Sequence, residues 1–183
     1  MPKIIKFKEI NKKEIITEIK QGKIFIYPTD TVYGIGCNAQ IKESIQKIRD
    51  IKKSDQPFSV IAPSKKWILN NLTINNKKYI KKGPYTFILK IKNKVVHPLT
   101  NKNKTTLGVR IPAHKFTSLI KVPFITTSIN IHNQKNYINI KQIPNKIKKQ
   151  VDYILDQGTL DNKPSTLIDL TKTQPKIIQR RKV

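Results

Sequence analysis

The sequence predicts an α/β fold, a single-domain twisted mixed sheet with flanking helices spanning residues 1–183. Three observations carry this expectation. Apolar residues recur alternately at helical and at strand spacing along the chain. No internal repeat and no Gly/Ser-rich linker divides it. A length of 183 residues with 37% hydrophobic content suffices for one well-filled core and is short for two. Elements that alternate in this way favour a mixed sheet with helices packed on it.

The elements follow in order. Residues 8–21 carry Ile10, Ile15, Ile16 and Ile19 at helical spacing and end at Gly22, a helix stop. Residues 23–27 are short, β-branched and aromatic, and Pro28 closes them as a strand. Residues 41–52 return to helical spacing through Ile41, Ile45, Ile48 and Ile51, and a strand at 58–62 is stopped by Pro63. Short helices are expected at 65–71 and 75–81, and Gly83-Pro84 leads into a strand at 85–91. The Lys/Asn-rich residues 92–104 read as a loop. A strand at 105–111, a short helix at 114–120 and a strand at 124–127 come next. Beyond Asn130 the pattern weakens until strands at 151–155, 165–170 and 176–180.

Composition narrows the function classes. No apolar run approaches the roughly 20 residues that span a bilayer, and the N-terminus lacks a signal-peptide core, so a cytoplasmic protein without membrane contact is expected. One cysteine, Cys37, excludes an internal disulfide and a multi-thiolate zinc site. His97, His114 and His132 are isolated, so no metal site is expected in the protein itself. The net charge of +26 suggests a polyanionic partner. A second explanation stays open: 33 lysines against 4 arginines, 32 isoleucines against 10 leucines and 15 asparagines are what an A/T-rich coding sequence produces. Against that background the arginines Arg49, Arg110, Arg180 and Arg181 stand out, because their planar fork does what lysine cannot.

The densest chemical signal is the run from Tyr27 to Gly36, Tyr-Pro-Thr-Asp-Thr-Val-Tyr-Gly-Ile-Gly, which packs hydroxyls, a carboxylate and two glycines behind a strand. It is neither a Walker loop nor a dinucleotide fingerprint. Further polar groups fall at strand ends, where open α/β sheets gather ligands. They lie in Lys52-Lys53-Ser54-Asp55-Gln56-Pro57, Gly83-Pro84-Tyr85-Thr86, Val109-Arg110-Ile111-Pro112, Ser128-Ile129-Asn130, Ser165-Thr166 and, late in the chain, Arg180.

This ordered set resembles the YrdC family, the L-threonylcarbamoyl-AMP synthases, nearly end to end. Pro28 to Gly34 is similar to the family's opening Pro-Thr-Asp/Glu-Thr-x-Tyr-Gly, and the other segments follow in family order. One departure is that the family's Lys-x-Arg aligns with Lys52-Lys53-Ser54, so its arginine is missing. The glycine that often follows Ser-x-Asn is also absent. Lys53, or Arg49 one helical turn earlier, is the candidate replacement for the missing arginine.

The resemblance implies a nucleotidyltransferase that makes threonylcarbamoyl-AMP and pyrophosphate from L-threonine, bicarbonate and ATP with Mg²⁺. A downstream transferase complex would then use the adduct to modify tRNA. By the same resemblance Thr31, Tyr33, Arg110 and Ser165 face threonine, Arg110 pairing with its carboxylate. Lys52, Lys53, Ser128, Asn130 and Arg180 face the nucleotide, and Lys52 and Arg110 are the expected catalytic cations. Other readings remain open at this point: a basic RNA-binding module of the same fold without catalysis, a hydrogenase-maturation carbamoyl-adenylating domain, and a synthase that has lost its chemistry.

Overall fold

In the computed structural model, which describes residues 1–75, 77–130 and 137–179, strand β2 (Phe25–Tyr27) is buried along its whole length. Its alternation divides the core in two. Ile26 joins a large aliphatic cluster with Ile45 and Ile48 of helix α2 (Lys42–Lys52), while Phe25 and Tyr27 join Ile15 and Ile19 of helix α1 (Lys12–Lys20). Because successive strand side chains point to opposite faces, α1 and α2 cover opposite sides of the sheet. The α1 side is aromatic: Tyr27 stacks on Phe116 with centroids 4.5 Å apart, and Phe25 on Tyr153 at 4.9 Å.

The remaining strands are β1 (Lys3–Lys6), β3 (Gly34–Gly36), β4 (Ser59–Ile61), β5 (Leu72–Thr73), β6 (Tyr85–Ile91), β7 (Thr106–Arg110), β8 (Phe124–Ser128), β9 (Tyr153–Asp156), β10 (Thr166–Asp169) and β11 (Lys176–Ile178). They form one eleven-stranded sheet in the order β1-β9-β2-β3-β8-β4-β7-β6-β10-β11, with β5 paired to β6. Parallel pairs (β1 with β9, β2 with β9, β4 with β7, β6 with β10) occur together with antiparallel ones (β2 with β3, β3 with β8, β4 with β8, β6 with β7), so the sheet is mixed as expected. No helix among the described residues is long and apolar enough to cross a membrane.

Several elements differ from the sequence pattern. Strand β1 is an edge strand whose two isoleucines are not fully buried, so its Lys-Ile-Ile-Lys run carries little hydrophobic signal. Strand β3 hides in the polar glycine run: a side chain at Gly36 would meet the Ile125 carbonyl at 1.9 Å, so glycine is what admits this strand beside β8. The helix expected from residue 8 starts at Lys12, because the Asn11 side chain caps the amides of Lys13 and Glu14, and Phe7–Glu9 forms a separate 3₁₀ turn. The helix expected at 75–81 is reduced to a 3₁₀ turn, Lys77–Tyr79. The 92–104 loop contains α4 (Pro98–Asn101), with proline at its first position and His97 Nδ1 accepting from the Leu99 amide. Helix 114–120 is a 3₁₀ segment, Lys115–Leu119, capped by His114. Helix α3 (Lys65–Asn71) forms where expected, and the weakly patterned stretch before residue 149 holds a short helix, α5 (Asn145–Lys148).

Candidate active site

The face of the sheet that carries α1 is apolar only over its first strands. Further along, the positions pointing the same way are Ser128 and Thr126 on β8, Ser59 on β4, Gly108 and Arg110 on β7, and Thr86 on β6. The registers align them: Ser59 pairs with Thr126 on one side and with Gly108 on the other. Gly108 leaves room for this row, since a Cβ there would lie 2.4 Å from the Ser59 hydroxyl. A pocket of about 420 Å³ opens over these positions.

One wall comes from the chain between β2 and β3. The Thr29 hydroxyl donates to the Val32 carbonyl (2.7 Å) and accepts from the Thr31 amide (3.0 Å), a self-bonded turn that presents Thr31 to the pocket. Arg110 Nη2 donates to Thr31 Oγ1 (3.2 Å) and to Asp30 Oδ1 (2.9 Å), and Asp30 Oδ2 accepts from the Ala113 amide (2.8 Å). Burial pulls the Arg110 guanidinium down and Asp30 opposes the shift, so the group stays a cation. Its Nε is buried without a hydrogen-bond partner among the described residues, which leaves the fork capacity for a further acceptor.

The opposite wall joins distant segments. The parallel pairing of β10 with β6 places Ser165 beside Thr86, their hydroxyls 2.7 Å apart, and the Thr166 amide donates to the Pro84 carbonyl. At the third side, Ser128 donates to Asn130 Oδ1, and Lys52 Nζ donates to the backbone carbonyls of Ser128 (2.6 Å) and Asn130. Thus Thr31, Tyr33, Arg110, Ser165, Ser128 and Asn130 all line one pocket.

Other residues are placed differently from expectation. Lys52 does not line the pocket: it is 6% exposed at the end of α2, and its ammonium holds the turn that carries Asn130. Burial pushes its pKa down to about 8. Lys53 also lies off the pocket, because it caps α2 in the left-handed conformation (φ 47°) and is exposed. Arg49, the other candidate replacement, is occupied: it donates to the carbonyls of Leu99, Ser54 and Gln56 and covers the Phe58 ring at 4.5 Å. Tyr33 contributes its ring, but its hydroxyl donates to the Gly158 carbonyl (2.8 Å) and accepts from the Gln157 amide (2.9 Å). Arg180 lies outside the described residues, as does His132.

Sequence reasoning marked the run that holds Thr29 and Asp30 without giving either a role, and it missed Ser59 and Thr126. The last two could have been found, since a polar residue alternating with apolar neighbours marks a strand face without a hydrophobic cover. The Asp30–Arg110 pairing had no local signal. Cys37 is fully buried, which pushes its thiol pKa up and suits packing. No group of three His, Cys, Asp or Glu among the described residues could hold a metal ion.

The fold and the pocket define the class: a mixed-sheet α/β protein with a polar cavity on an open sheet face. The chain belongs to the Sua5/YciO/YrdC family, whose model, described as Telomere recombination, matches residues 17–181. A relative from Methanocaldococcus jannaschii named putative threonylcarbamoyl-AMP synthase is 35% identical, with 92% of this chain and 87% of that protein covered. The crystal structure of Escherichia coli YciO superposes with a TM-score of 0.83 at 25% identity, covering 98% of this chain and 95% of that one. Pyrococcus abyssi Sua5 complexed with L-threonine superposes with a TM-score of 0.82 at 24% identity; 97% of this chain is covered, and it spans 56% of the Sua5 chain.

Proposed function

We propose that this protein is a threonylcarbamoyl-AMP synthase, a nucleotidyltransferase acting on L-threonine, bicarbonate and Mg-ATP. The observation that carries the reading is the convergence of Thr31, Arg110 and Ser165 with Ser128 and Asn130 in one cavity, from four separate segments of chain. The M. jannaschii relative's name and the L-threonine complex of Sua5 support it.

The chemistry asks for a site of this kind. The threonine amine and bicarbonate condense to a carbamate with loss of water. A carbamate oxygen then attacks the α-phosphorus, and the Pα–O bond to pyrophosphate breaks. The reactants are anions, so fixed donors and a cation lower the barrier by meeting charge where it develops. Arg110 takes the threonine carboxylate on the part of its fork that Asp30 leaves open, and Thr31 and Ser165 offer hydroxyls to the amino acid. Ser128 and Asn130 face the nucleotide, held in register by Lys52 beneath them, so Lys52 positions nucleotide contacts. Mg²⁺ enters on the ATP phosphates, which suits an ion that keeps waters and needs few protein ligands. A phosphate contact by Arg180 is part of this proposal, whereas Lys53, which lies off the pocket, has no role in it. Alignment of three substrates supplies much of the remaining rate, with no covalent enzyme intermediate. The product's consumer would be a transferase that modifies tRNA in the cytoplasm.

The test is direct. Pure protein is incubated with Mg-ATP, bicarbonate and L-threonine while pyrophosphate is followed and the adenylate adduct is sought by mass. Threonine-dependent release is expected, and Arg110→Ala should raise the threonine requirement at least tenfold. Absence of release across pH and metal conditions would favour a binding module without chemistry.

A further inference from the structure

A second cavity, about 970 Å³ and thus larger than the first, lies outside the substrate pocket. It is bounded by the end of β1 with the following 3₁₀ turn, the start of α1, residues 113–119 and the loop 156–158 after β9. We propose that this cleft binds the phosphate backbone of a nucleic-acid strand and takes one base against Phe7 and His114.

Charge is the first argument. Lys6, Lys8 and Lys12, from one stretch of chain, and Lys115, from another, reach the cleft, and none has a carboxylate within ion-pair distance among the described residues. The one carboxylate in the lining, Asp156, is outnumbered by the four lysines and has one oxygen engaged: its Oδ1 accepts from the Gly158 amide (2.9 Å) and lies 3.4 Å from the Tyr33 hydroxyl. Glu9 sits in the same 3₁₀ turn but does not line the cleft. The substrate pocket, by contrast, has no lysine in its lining.

The kind of cation is the second argument. Arg110 in the substrate pocket is a fixed fork held by two partners, the arrangement for orienting one small carboxylate. The cleft instead offers exposed lysines, flexible point charges that follow a chain of phosphates without demanding one geometry. Its floor is apolar and aromatic, with Phe7 and His114 rings 5.0 Å apart and Ile10 and Leu119 beside them. Lysines around an aromatic platform are the pairing that holds single-stranded nucleic acid, phosphates by charge and a base by stacking. Inorganic phosphate or a mononucleotide would use the same groups but would leave most of the cleft unfilled.

The proposal does not depend on the synthase reading, and its test is separate from catalysis. Anisotropy of a labelled 20-nucleotide single-stranded RNA is titrated with the full chain at several salt concentrations. The combined variant Lys6→Gln, Lys8→Gln, Lys115→Gln is compared with a charge-matched control, Lys47→Gln, Lys104→Gln, Lys172→Gln. Each strand contact carries a salt slope of about 0.7, so the cleft variant should lose about 2 from the slope and roughly tenfold or more in affinity. The control should lose markedly less. Phe7→Leu keeps the apolar packing and should weaken binding at an unchanged slope. Equal losses in both lysine variants would reduce the effect to diffuse net charge and overturn the proposal, as would a wild-type chain that does not bind the RNA. AMP binding with the same lysine dependence and no gain for the RNA would overturn the strand and leave a mononucleotide site.

Discussion

Arg110 and Asp30 form an ion pair at 2.9 Å in which both side chains are nine-tenths buried, 10% and 9% exposed, and it joins the exit of β7 to the loop before β3. Asp30 also accepts from the Ala113 amide, so one carboxylate sets both the guanidinium and the backbone behind it. The charge that would orient a substrate carboxylate is therefore already half satisfied, which lowers the cost of keeping it buried.

Asp30→Asn keeps the shape and removes the counter-charge. Breaking one partner of a buried pair costs about 3 kcal/mol. The variant should unfold at lower urea, and its threonine-dependent pyrophosphate release should show a raised KM. Wild-type values for both would remove Asp30 from the site.

Two glycines predict opposite kinds of failure. Gly36→Ala places a methyl 1.9 Å from the Ile125 carbonyl, so β3 must leave β8; loss of folded protein is expected in circular dichroism and size exclusion. Gly158→Ala meets nothing within 4 Å, and its penalty is the left-handed backbone at φ 81° alone, about 1–2 kcal/mol.

Lys52 gives a signed pH effect. Its folded pKa of about 8 lies below the ordinary 10.5, so between these values the unfolded chain binds more protons. The stability of the wild type relative to Lys52→Met should rise as pH increases from about 8 to 10.5, read from urea midpoints. A flat difference would show that the ammonium is not held in a dry site.

His114 behaves in the other pH range. Its Nδ1 accepts from the Phe116 amide (3.1 Å) and its Nε2 meets Gln157 Oε1 at 2.7 Å, an arrangement that needs the neutral ring. Burial lowers its pKa, with Gln157 and Asp30 opposing and Lys115 assisting. The stability it contributes is present above pH 6.5 and should be lost as pH falls through the lowered value. Proton NMR of the ring should titrate below 6.5, and a midpoint at or above it would contradict the cap.

How far the site could be read in advance depended on range. Thr31, Arg110, Ser128, Asn130 and Ser165 were legible because each stands at a strand end in an ordered set of short motifs. The roles of Lys52 and Arg49 were not. The sequence expectation made Lys52 a nucleotide-facing cation and Arg49 a replacement for the missing arginine, yet tertiary packing buries both on α2 against backbone carbonyls of residues 128–130 and 54–56.

Local rules, period and punctuation, determined the α/β class, the central helices and strands, and the strand-end positions of the polar residues. Hydrophobic spacing and proline or glycine stops act within a few residues, so the chain order alone carries them. Only the tertiary structure decided that β3 is a strand, that Asp30 answers Arg110, and that Lys115 joins the lysines of residues 6–12 around a second cleft. Those outcomes come from contacts between residues far apart in the chain, whose partners no local pattern specifies.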